Sequence, residues 1–180
     1  DNLRALAIPK LIYALSQNDK QEREVALTAF KHYMDNALGV APGFFGTFKA
    51  DFSGYHHRGP YHSAYYPHAL YAGALIAYLL HNTPYALSET TLHNLKQGLL
   101  TFRILESTEN QQAITEYISN VNSNLAYTST VGEIELVIQL ASSSIAKEKP
   151  VTGTLFMPYS GLLVAKDSLF HFNIKGFSRY

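Results

Sequence analysis

"YYPHALYAGALIAYLLHN", residues 65–82, is the stretch whose reading decides the fold. It carries no Asp, Glu, Lys or Arg, and it is apolar on nearly every side of a helical projection. A helix apolar all round has no face to give to water, so it must be a central one packed by others. Pro67 falls in the first turn, where the missing N–H has no helical partner to lose.

Working outward, the neighbours supply helices to cover it. "TPYALSETTLHNLKQGLLTF", residues 83–102, offers Ser88 as an N-cap and a stripe of Leu92, Leu95, Leu99 and Phe102. Upstream, "LRALAIPKLIYALSQ" (3–17) is apolar on one face, with Pro9 expected to kink or divide it. "DKQEREVALTAFKHYMDNALG" (19–39) opens on acidic residues and places Val25, Leu27, Phe30 and Met34 near helical spacing. It meets Gly39 as a stop. "VAPGFFGTFKADFSG" (40–54) has the glycine and proline punctuation of an extended, ordered loop.

Farther along, "NQQAITEYISNV" (110–121) reads as a short helix. "GEIELVIQLASSS" (132–144) is open between helix and strand, with helix the favoured reading. After Ser144 the texture changes. "VTGTLFMPYSGLLVAKDSLFHFNIKGF" alternates between glycine and proline breaks, which predicts short strands with a hairpin turned near Lys166-Asp167. The expected organisation is therefore mainly α, with packed helical hairpins over residues 1–143 and the beginning of a β domain over 144–180.

Composition narrows the function. Fourteen basic residues balance fourteen acidic ones, so no global field points to nucleic acid or to an anionic membrane. No apolar run is long enough for a membrane span. With no cysteine, neither a disulfide framework nor a thiolate metal site is available. The first residues have no basic segment leading into an apolar one, the chain starts without Met, and a fragment or a trimmed chain is expected.

Chemistry concentrates in "DFSGYHHRGPYHSAYYPHAL", residues 51–70, which holds His56, His57, His62 and His68 with Tyr55, Tyr61, Tyr65 and Tyr66. Three readings compete. Taken singly, each of these residues is most often a half-buried group with a hydrogen-bonded tip. A metal shared by His57 and His62 with His68 or Asp51 matches no established ligand spacing, so no metal and no cofactor is expected. Proton transfer is the third reading: a neutral imidazole exchanges protons near neutral pH, and a phenol acts as acid, or as base once cations lower its pKa.

At these residues the chain resembles a known family. "GFFGTFKADFSGYHHRGPYHSAYYP", "LIAYLLHNTPYALSE" and "LHNLKQGLL" are similar to the catalytic segment of the chondroitin and hyaluronan lyases of polysaccharide lyase family eight, nearest its broad-specificity chondroitin ABC branch. "YSGLLVAKDSLFHFNIKGFSRY" resembles more loosely the opening of that family's β-sandwich. The resemblance implies an α/α toroid, incomplete here, followed by antiparallel sheets. It implies β-elimination on uronic-acid-containing glycosaminoglycans without a cofactor, in a periplasmic or secreted bacterial protein. By position, His57 matches the catalytic histidine, and the catalytic tyrosine falls on Tyr65 or Tyr66, with Tyr65 favoured because Ser63-Ala64-Tyr65 resembles the family's small-small-Tyr entry to the helix. Arg58, Tyr55, Tyr61 and Tyr66 are expected to hold the sugar acid. The chain departs from the pattern at Arg58 and Pro60, and residues 103–114, "RILESTENQQAI", lack the family's glycine-flanked arginine. The family's Trp and Glu would fall after Tyr180, so the partner expected beside the polysaccharide is the remainder of a longer lyase chain.

Overall fold

The computed structural model describes residues 3–56, 59–60, 65–105 and 152–176. Among them are four helices and two small antiparallel sheets, a mainly α architecture with some β. Helix α1 spans Leu3–Leu15, α2 Lys20–Ala37, α3 Tyr65–Leu80 and α4 Glu89–Leu105. Strands β1 (Tyr55–His56) and β2 (Gly59–Pro60) form a two-stranded ribbon. Strands β3 (Gly153–Met157), β4 (Leu162–Lys166) and β5 (His171–Lys175) form a meander.

Helix α3 lies at the centre, as its all-round apolar surface demands. Leu70, Ala74, Ile76 and Ala77 are all buried, and the helix packs on both α1 and α4. Helix α1 turns Leu3, Ala7, Leu11 and Ala14 into this core. Its expected division at Pro9 does not occur. Pro9 and Ala5 lie on the exposed face, where water can satisfy the Ala5 carbonyl left without a donor.

Helix α2 is capped by the Asp19 carboxylate, which accepts from the Glu22 N–H at 2.9 Å. Leu27, Phe30 and Met34 are buried as expected. Val25 is not: it is 64% exposed, because its position falls off the stripe that the other three define. Ser88 caps α4, its hydroxyl accepting from the Thr91 N–H at 3.2 Å. The Asp35 carboxylate of α2 reaches the same end and accepts from the Ser88 N–H at 3.0 Å and the Thr91 hydroxyl at 2.6 Å. Leu95, Leu99 and Phe102 then line the core, with Leu92 packed at its margin.

In the meander, Asp167 turns β4 into β5, its carboxylate accepting from the Leu169 and Phe170 N–H groups at 2.6 and 2.8 Å. Alternation places Met157, Leu162 and Val164 inward. There they join Ile104 and Leu105 from the end of α4 in a second apolar cluster. The segments 110–121 and 132–144, and the expected passage to β near residue 144, lie outside the described residues. Among the described residues no helix is long and apolar enough to cross a membrane.

Candidate functional site

The loop from Val40 to Gly54 is ordered by short backbone pairings rather than by regular structure: Val40 bridges Phe48 in parallel, and Phe48 bridges Gly54 in antiparallel fashion. Lys49 is buried within it at 0% exposure. Its Nζ donates to the Ala41 carbonyl at 3.2 Å and to the Phe45 carbonyl, and it sits 4.5 Å from the centre of the Tyr55 ring. Burial depresses the Lys49 pKa, and the Asp51 carboxylate works in the opposite direction. The Asp51 carboxylate is itself engaged. One oxygen accepts from the Ser53 N–H at 3.0 Å and the Ser53 hydroxyl at 2.5 Å, and the other accepts from the Tyr159 N–H at 2.9 Å.

The chain then enters the ribbon, in which Tyr55 pairs with Pro60 and His56 with Gly59. Tyr55 is buried. Its N–H donates to the Thr47 carbonyl at 3.0 Å, and its hydroxyl donates to the Tyr159 carbonyl. Tyr159, in the β3–β4 turn, is thus gripped at its N–H by Asp51 and at its carbonyl by Tyr55.

Tyr65 is the first residue of α3 and is half-buried. Its ring lies against that of His56, with centroids 4.1 Å apart and planes tilted by 41°. Both line a recess completed by Leu3, Thr47, Tyr55, Tyr66 and Ala69. The cavity volume is ≈ 20 Å³, which is room for a water molecule and not for a sugar ring.

Tyr66, one residue on, also borders the recess but is buried. It is 1% exposed, its hydroxyl donates to the Phe52 carbonyl at 2.8 Å, and its ring meets Phe48 edge-on at 5.8 Å. Burial first, and then the Asp51 charge, push its phenol well above the usual pKa. The ring is seated between two glycines: a Cβ at Gly54 would lie 2.1 Å from the Tyr66 Cγ, and one at Gly98 2.6 Å from its hydroxyl. The expectation that Tyr66 holds a sugar acid meets a buried side chain whose hydroxyl is already committed to the backbone.

Of the six residues singled out from the sequence, the structure places Tyr55, Tyr65 and Tyr66 around this recess. His57, Arg58 and Tyr61 lie outside the described residues. Lys49 and Tyr159 were not foreseen as parts of the site; His56 was named only as a member of the histidine–tyrosine cluster, and Asp51 only as a candidate metal ligand. The Asp-x-Ser spacing of residues 51–53 is a legible turn signal, whereas a lysine between Phe48 and Ala50 carries none. Among the described residues no three His, Asp or Glu side chains gather closely enough to hold a metal ion.

Comparison with known proteins bears on this arrangement. A family model described as "Lyase, catalytic" matches residues 1–115, which contain all four helices and the ribbon. A chondroitin sulfate ABC exolyase from Bacteroides thetaiotaomicron is 30% identical over 103 residues, 57% of this chain. The chain spans 10% of the length of that relative.

Proposed function

The chain belongs to the lyase catalytic-domain family and is chondroitin-lyase-like, and from that premise we propose that it contributes the proton-transfer loop of a glycosaminoglycan lyase. The substrate is a chondroitin- or dermatan-type chain, with hyaluronan as a further candidate. The reaction is β-elimination. A base removes the C5 proton of the uronic acid, the C4–O4 bond breaks, a C4–C5 double bond forms, and the leaving O4 takes up a proton. The C5 proton is weakly acidic, so the adjacent carboxylate must be neutralised by hydrogen bonds or a cation as charge develops.

In this reading Tyr65 protonates O4 and, for glucuronate, also takes the C5 proton. His57 assists at C5 and serves as the base for iduronate, while Arg58 and Tyr61 hold the sugar acid; Tyr55, buried with its hydroxyl committed to the Tyr159 carbonyl, supports the recess instead. The observation that carries the reading is the contrast at the start of α3: Tyr65 lines the recess half-exposed beside His56, while Tyr66 is committed to the core. It favours Tyr65 over Tyr66 as the catalytic phenol. At larger scale, the reading makes α1–α4 part of an α/α toroid over residues 1–143, and the meander the start of a β-sandwich over 144–180. A polymeric anion does not cross a membrane intact, which argues for a periplasmic or secreted site of action.

Incubation with chondroitin sulfate, dermatan sulfate and hyaluronan tests the proposal through the ultraviolet absorbance of the unsaturated uronate. A rise that Tyr65→Phe abolishes supports it. Saturable sugar binding with no rise would instead identify a carbohydrate-binding segment without its own turnover.

A further inference from the structure

We propose that Lys49 is a positioning residue for proton transfer at Tyr65, holding the ribbon that sets His56 against the Tyr65 ring; the inference rests on the lyase reading above. A buried ammonium group is costly unless acceptors surround it. Lys49 makes no ion pair among the described residues, and its acceptors are two backbone carbonyls and an aromatic face. An aliphatic side chain would fill the same space without desolvating a charge. What the ammonium adds is a link between three pieces of chain: the 41–45 loop through Ala41 and Phe45, its own turn, and strand β1 through Tyr55.

Tyr55 is the pivot. It is held at its N–H by Thr47, on its ring face by Lys49 and at its hydroxyl by Tyr159. His56 follows it directly in β1 and lies 4.1 Å from the Tyr65 ring. Two contacts, at 4.5 and 4.1 Å, therefore lead from the buried cation to the phenol that moves the proton. Displacing a reacting group by about 1 Å costs on the order of 100-fold in rate, so a residue that touches no substrate can still govern turnover.

The test compares Lys49→Met, Lys49→Gln and Lys10→Met in the full-length protein. Lys10 lies 4.9 Å over the Tyr33 ring, a similar cation–aromatic contact between α1 and α2, away from the recess. Lys49→Met should lower kcat by about 10- to 100-fold, with KM changed less than about threefold. Lys49→Gln, whose amide still offers two N–H donors, should recover part of that loss. Lys10→Met should leave kcat within about twofold.

A crystal structure of Lys49→Met provides a readout independent of turnover, and in it the His56–Tyr65 approach of 4.1 Å should be lost. A kcat for Lys49→Met within about twofold of the parent, or an unchanged His56–Tyr65 contact, would overturn the proposal. If the unaltered protein forms no unsaturated uronate, the lyase reading fails, and the crystallographic arm still decides whether Lys49 positions this pair.

Discussion

Tyr65 and Tyr66 are adjacent and chemically identical, and the fold gives them opposite fates. Tyr65 opens α3 at the recess, while Tyr66 is turned by one helical step into a slot between Gly54 and Gly98. Paired substitutions separate the two roles. Tyr65→Phe should cut turnover by a factor on the order of 10² to 10⁴ while leaving the melting temperature and sugar affinity close to unchanged, since it removes a proton-transfer group and little packing. Tyr66→Phe keeps the ring but strands the Phe52 carbonyl, which should cost about 1–3 kcal/mol in denaturant unfolding. Were Tyr66→Phe the variant that lost turnover in a fully folded protein, the assignment of the catalytic phenol would be off by one residue.

At the scale of elements, the helices hold one another by groups at their ends as well as by their apolar stripes. Gly98 lets α4 approach the 40–54 loop. A Cβ there would lie 2.5 Å from the Phe48 Cε1, so Gly98→Ala should destabilise the protein by about 1–3 kcal/mol even though alanine is the better helix former. Asp35 joins α2 to the start of α4. Burial alone would raise its pKa, but hydrogen bonds from Lys31, Thr91 and Ser88 and the Lys31 charge outweigh burial and hold it below the usual carboxylate value. A carboxyl depressed in the folded state stabilises the protein fully above its unfolded pKa of about 3.9. That contribution fades as pH falls from there through the folded value. Urea midpoints measured between pH 6 and pH 3 should therefore fall less steeply for Asp35→Asn than for the parent, with the difference confined to about pH 4 and below.

For the whole molecule, the question is how the meander is fastened to the helices. Two features do it. Ile104 and Leu105 pack with Met157, Leu162 and Val164, and the Tyr159 backbone is gripped by Asp51 and Tyr55. Leu105→Ala removes the buried centre of the apolar contact and should cost about 2–5 kcal/mol. If helices and meander form one cooperative unit, amide exchange should rise in β3–β4 and in α4 together. Exchange rising in α4 alone would show that the meander is held by other contacts.

The central helix, its stripes, the Ser88 cap and the turn at Asp167 were legible in the sequence, because each depends on residues within a turn or two of one another. The continuity of α1 through Pro9 and the exposure of Val25 were not. Both depend on which face of a helix meets the core, and that is set by neighbours distant along the chain. The same division runs through the site. The gathering of histidines and tyrosines in residues 51–70, and the family it resembles, could be read directly from the residues. That Tyr66 is buried while Tyr65 is half-exposed at the recess, that the His56 imidazole lies against Tyr65, and that Lys49 and the Tyr159 backbone converge on Tyr55 could not. Those contacts join residues as far as 104 positions apart, and no local pattern encodes them. Close packing decided them, by leaving Tyr66 a slot between Gly54 and Gly98.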